Sequence, residues 1–170
     1  QYYLYLPAGS GIGESTGFYR ATPQVTLTIP STAAKVITVG AYDPVYDTYA
    51  DFSGRGYADS TRTIGVTAAG LTKPDLVAPG VNIQAPDAYG SFLPVTGTSF
   101  ATPIVSGAAA LLMEWGIVRG NDPFLYGEKI KAYLRKGARP LRGEREYPND
   151  RVGYGRLCVS DSLPQTGTTE

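Results

Sequence analysis

Apolar and polar positions along the chain follow two rhythms, one short and β-branched, one helical. Val25 to Ile29 and Val36 to Val39 are brief runs rich in β-branched residues and predict two strands, parted by the turn-prone Pro30-Ser31-Thr32. Val81-Asn82-Ile83 alternates as a strand would, and Leu93 to Thr96 predicts another. Ser99 to Trp115 is dominated by Ala, Gly and aliphatic residues, which suits a helix packed closely on all sides, beginning at or just after Ser99 with Pro103 in its first turn. A second helix, Tyr126 to Lys136, sets Ile130, Tyr133 and Leu134 on one face and Glu128, Lys129, Lys131 and Arg135 largely on the other, with Gly137 as its stop.

Between these elements the chain is punctuated. Residues 7–23 are Gly- and Pro-rich and predict a surface loop, and Asp43 to Gly70 reads mostly as loop around a strand candidate at Ile64-Gly65-Val66. Two prolines in Lys73 to Gly80 forbid a regular helix and predict an ordered connection. Pro140 to Asp150 is charged and reads as a surface loop before Val152 to Leu157 returns to the body. Gln1 to Leu6 reads as a strand entered part-way, with no initiator Met and no signal-peptide pattern, so the natural start is expected upstream.

Composition narrows the class of function. Fifteen basic and fifteen acidic residues give zero formal charge, which argues against nucleic acid and anionic membrane as partners. Cys158 is the one cysteine, so no intrachain disulfide forms, and it reads as a small apolar residue. Ile104 to Trp115 falls short of the roughly 20 residues that cross a bilayer, so no membrane span is expected. No carboxylate-rich loop suggests an all-oxygen cation site, so neither metal nor cofactor is assigned.

The chemistry concentrates in Gly97-Thr98-Ser99-Phe100-Ala101-Thr102-Pro103, between a strand and a helix. A hydroxyl at that junction sits where unpaired helix N–H groups and the positive end of the helix dipole stabilise an oxyanion, as acyl transfer requires. The plainer alternative is that Ser99 caps the helix, the commonest reason for serine at such a position.

Gly97-Thr98-Ser99-x-Ala101-x-Pro103 resembles the nucleophile motif of the subtilisin-like serine peptidases, the subtilases. Lys73 to Ile83 is similar to the family segment that precedes the nucleophile, Pro30 with Val36 to Ala41 to the strand after its substrate-binding loop, and Asp51 to Gly56 to its Phe-Ser-x-x-Gly turn. The resemblance covers about residues 25–157 and implies a three-layer α/β fold with a mainly parallel sheet, of which this chain supplies the C-terminal half. It also implies that Ser99 attacks the scissile carbonyl of a peptide or protein substrate, that its N–H joins the oxyanion hole, and that Thr28 lies near the base of the substrate pocket. Ile104 replaces a histidine common after the motif proline, which implies a packing difference. Leu112 to Pro123 and Leu134 to Arg139 resemble the clostridial spore-germination subtilases, whose inserted β-rich domain would end near Tyr3 to Pro7. The expected organisation is therefore residues 1–24 leaving an inserted segment, 25–160 in the catalytic domain, and 161–170 as a flexible tail.

The departure from the family is as informative. Its catalytic Asp and His precede the matched region, and this chain contains no histidine. A serine without a base is a weak nucleophile, so the chain alone is expected to be inactive. Asp75 and Asp87 read as solvated loop carboxylates, and a Ser99–Lys73 dyad would contradict the resemblance. A helix needing cover on several sides implies association with the missing N-terminal half or with another copy. Two functions follow: a serine endopeptidase completed by upstream His and Asp, or a pseudoprotease scaffold, a type found among germination subtilases. Leu163-Pro164-Gln165-Thr166-Gly167 spells the sortase pattern LPxTG, either by coincidence in an unrelated tail or as a site whose anchor lies beyond.

Overall fold

Strands β1 (Val39–Asp43) and β3 (Leu76–Pro79) run parallel, with Val39 opposite Leu76 and Tyr42 opposite Pro79. They form the centre of a computed structural model that describes residues 16–57 and 72–164, together with Leu4, Leu6 and Gly13. Strand β2 (Thr48–Tyr49) pairs antiparallel with the other edge of β1, giving the order β2-β1-β3. Beyond β3, Val77 N–H donates to the Gly155 carbonyl and Leu157 N–H to that of Val77, so residues 155–157 extend the sheet in parallel. A hairpin of β4 (Ile83–Pro86) and β5 (Phe92–Val95) stands apart as a second sheet.

Both faces of the main sheet are covered. Ala41, Leu76 and Ala78 join one core with Ala101, Val105, Ala108 and Leu112 of helix α1 (Thr98–Met113) and with Ile130 and Leu134 of α2 (Glu128–Lys136). Tyr42 and Val77, pointing the other way, meet Tyr49, Leu141 and Val152. A short helix α3 (Val159–Ser162) packs against α2, and Leu163 beyond it touches the main core, so packed structure continues past residue 160. The strand reading at Ile64-Gly65-Val66 lies outside the described residues, as do residues 165–170 and most of residues 1–6.

Several expectations need correction. The strand placed at Val36 to Val39 begins at Val39, and Val25 to Ile29 is turn and extended loop, with Val25 at a φ of 55°. Thr26 N–H donates there to the Arg55 carbonyl at 2.8 Å, with no strand ladder on either side. The expected connection at Lys73 to Gly80 contains β3 itself. A strand buried on both faces is apolar at successive positions, so Leu76-Val77-Ala78 carries no alternation to announce it. Helix α1 starts at Thr98, which moves Pro103 into the second turn and leaves the Ser99 carbonyl without its usual donor four residues on.

Nor is α1 enclosed on all sides. Its buried residues form one stripe, while Thr102, Pro103, Ser106, Gly107, Ala110 and Leu111 face outward, Leu111 at 57% exposure. With the π-helical turn Glu114–Val118 that continues it, the helix reaches 21 residues of mean hydropathy 1.4, long and apolar enough to cross a membrane by length and composition. Its packing on β1 and β3 accounts for the apolar stripe as a core contact.

Candidate active site

Ser99 is the second residue of α1 and is exposed. The capping position belongs to Gly97, which has no side chain, so the reading of Ser99 as a helix cap is excluded. Gly97 adopts a φ of 152°, a conformation that side chains disfavour, and its N–H donates to the Gly80 carbonyl at 2.8 Å. That bond seats the start of α1 against the end of β3. Phe100 N–H is taken by the Gly97 carbonyl at 3.1 Å, whereas the Thr98 and Ser99 amides precede the first intrahelical acceptor. Among the described residues nothing hydrogen-bonds the Ser99 hydroxyl. A free hydroxyl and open N–H groups at a helix N-terminus can hold an oxyanion formed at the same point.

Ser99 opens onto a cavity of about 680 Å³ whose wall also carries Thr28, Pro30, Val36, Thr38 and Phe52. The two residues singled out from the sequence, 71 positions apart, thus line one space. Thr28 is exposed there, and its carbonyl accepts a short hydrogen bond from Ser31 Oγ. The Asp51 to Gly56 turn supplies the facing wall. Arg55 N–H donates to Thr26 Oγ1 at 2.8 Å, while buried Ser53 accepts from Ala41 N–H at 2.9 Å and so fastens the turn to β1. Tyr49 OH adds a short bond to the Ser53 carbonyl. Ser53 and the cavity-lining Asp51 had no local signal beyond the turn motif in which they lie.

Asp75 corrects the sequence reading most sharply. It is fully buried, with Lys73 Nζ at 3.0 Å and Lys131 Nζ at 3.1 Å, and Arg135 in close contact with the same carboxylate. Thr38 N–H also donates to its Oδ2 at 2.6 Å. Lys131, expected on the solvated face of α2, is buried, as is Lys73. Lys73 is absent from the Ser99 cavity, and its donors go to Val36 O, Thr38 Oγ1 and Asp75, so it is not placed as the base of a dyad. Asp87 is half-buried in the β4–β5 turn and accepts from Tyr89 and Ser91 N–H, both at 2.8 Å.

Burial pushes the Lys73 ammonium down to about 8, with Asp75 opposing the shift and Lys131 adding to it. Burial first, then the Asp75 charge, raises the Tyr57 phenol nearby. An unfolded lysine titrates near 10.5, so between about pH 8 and 10.5 the unfolded chain binds a proton that the folded chain has released. Stability contributed by this group therefore rises with pH across that window, by on the order of 1–3 kcal/mol at about 1.4 kcal/mol per pH unit. Denaturant unfolding of wild type and Lys73→Met at about pH 7.5 and about pH 9.5 isolates the effect. Their difference should move in favour of wild type at the higher pH, and a constant difference would mean an unshifted ammonium.

The family model described as the subtilase family matches residues 12–155. The chain is 33% identical over 159 residues to the serine protease AprX of Bacillus subtilis (strain 168), covering 82% of this chain and 32% of that protein. Among solved structures, the Clostridium perfringens CspB protease superposes with a TM-score of 0.79 at 45% identity, covering 89% of this chain and 30% of that one. The prenylagaramide maturation protease PagA superposes with a TM-score of 0.58 at 33% identity, covering 79% and 43%. The chain spans about a third of the length of AprX and of the CspB protease.

Proposed function

Because the chain belongs to the subtilase family, we propose that the complete protein is a serine endopeptidase that cleaves peptide bonds through an acyl-enzyme on Ser99. The observation that carries this reading is the exposed Ser99 hydroxyl at the N-terminus of α1, opening on the same cavity as Thr28. Attack by Ser99 Oγ on the carbonyl carbon turns the carbonyl oxygen into an oxyanion, which the Ser99 N–H and the helix dipole stabilise. Thr28, on the cavity wall, would meet the substrate side chain. The proton leaving Oγ needs an imidazole, which this chain lacks. We assign that base, and the aspartate orienting it, to a second polypeptide segment lying against the outward face of α1.

The finer assignment, to subtilases of clostridial spore germination, is supported by the 45% identity with the CspB protease and by the residues after α1 that resemble that group. The absence of histidine from this chain keeps one rival in play, a pseudoprotease scaffold. An alkyl fluorophosphonate, which reacts with activated serine, separates them. The full-length protein should label while Ser99→Ala and the 170-residue chain alone do not. Folded full-length protein that resists the probe would sink the peptidase reading and leave the scaffold.

A further inference from the structure

Behind the cavity wall lies a group of charges that the proposed chemistry does not use. Lys131 Nζ, on α2, donates to the Ala34 carbonyl at 2.7 Å and to the Val36 carbonyl at 3.0 Å. Lys73 Nζ donates to that same Val36 carbonyl at 2.7 Å and to Thr38 Oγ1 at 2.9 Å. Asp75 closes the group from below, binding both ammonium groups and accepting from Thr38 N–H, while its own N–H donates to the Thr38 carbonyl at 2.8 Å. Thr38 relays the contact onward. Its hydroxyl donates to the Ser31 carbonyl at 2.5 Å, and Ser31 Oγ in turn donates to the Thr28 carbonyl.

Residues 31–38 form turns and bends without a strand ladder, so their inward carbonyls need donors from elsewhere. Two buried ammonium groups supply them at Ala34 and Val36, in the same stretch whose Val36 and Thr38 line the cavity. We propose that Lys131 and Lys73 are positioning residues for the substrate cavity, holding the backbone of residues 34–38 and, through Thr38 and Ser31, the placement of Thr28. The inference rests on the reading of the Ser99 cavity as a substrate site. It goes beyond that reading by assigning the geometry of the cavity wall to a charged clamp that touches no substrate.

The test uses full-length protein carrying Lys131→Met, with Lys131→Arg as the conservative control. Thr38→Val is a second variant, which cuts the relay to Ser31 and removes one acceptor of Lys73 while keeping both lysines' bonds to the Val36 carbonyl. It should quicken exchange at residues 31–33 more than at 34–36, and no change there overturns the relay. Amide exchange of residues 31–38 should quicken by about tenfold or more in Lys131→Met, with β1 and α1 unchanged, as expected for local opening. A peptidyl diphenyl phosphonate, whose side chain must enter the cavity, should label at least about tenfold more slowly, since small misplacements at a site cost up to about a hundredfold. A small alkyl fluorophosphonate should label within about threefold of wild type, and Lys131→Arg should restore most of the lost rate. Unchanged exchange, or equal slowing of both probes, overturns the proposal. Wild type that resists the alkyl probe defeats the peptidase reading instead, and the exchange result then decides the clamp by itself.

Discussion

Ser99→Ala in the full-length protein is expected to lower kcat for peptide cleavage by a factor on the order of 10⁶, the cost of removing the corresponding serine in subtilisin itself, with KM changed little. The magnitude follows from what the hydroxyl does. It makes no hydrogen bond among the described residues, so its removal leaves α1 and the Gly97–Gly80 contact intact and deletes only the proposed nucleophile. The Ser99 amide and the helix dipole remain, and their stabilisation of charge leaves a residual rate of roughly 10³–10⁴ over water. Initial-rate kinetics on a peptide substrate, with circular dichroism to confirm folding, give the answer. A variant retaining more than about a hundredth of the wild-type kcat would place the nucleophile elsewhere.

The second large effect concerns stability. Asp75→Ala should destabilise the fold by about 3–5 kcal/mol, the range for breaking a buried ion pair from one side. That is a large part of the about 5–15 kcal/mol that typically separates folded from unfolded protein. Two buried ammonium groups and the Arg135 guanidinium would face one another with no counter-charge, and Thr38 N–H would lose its acceptor. Pairing Asp75→Leu with Lys73→Met should recover part of the loss, because replacing a buried charge pair by apolar groups is far milder than orphaning one partner. Denaturant midpoints measure both, and an Asp75→Ala protein within about 1 kcal/mol of wild type would show the carboxylate to be dispensable.

Local pattern made the helices and β5 legible, whereas the strand read at Val81 to Ile83 starts only at Ile83 and runs to Pro86 as β4. The stripe Ala101, Val105, Ala108 and Leu112 and the apolar face of α2 appear in the sequence at helical spacing, and β5 is a short apolar run before a glycine. The Ser99 segment stands out in the sequence because its motif is contiguous, and the structure sets it in the first turn of α1. Strand β3 was not, since burial on both faces erases the alternation by which a strand is read. Lys131 and Arg135 read as a solvated face because charge on a helix usually is one. Their partner Asp75 lies 56 and 60 positions away, beyond any local window. The exposed side of α1 likewise depends on what else packs there, which periodicity within the helix does not encode.

The hydrogen bond between Gly80 and Gly97 has a consequence for how this scaffold can vary. The whole β4–β5 excursion leaves and rejoins the body at one point, like a drawer on a single runner. Its far end, around Tyr89 at 94% exposure and Gly90, bears on neither the sheet nor the start of α1. Insertions there change the exposed tip of the hairpin while Ser99 keeps its place, because the residues that set it lie on the closed side of that bond. Diversification of the hairpin and preservation of the serine are thereby separable in one continuous chain.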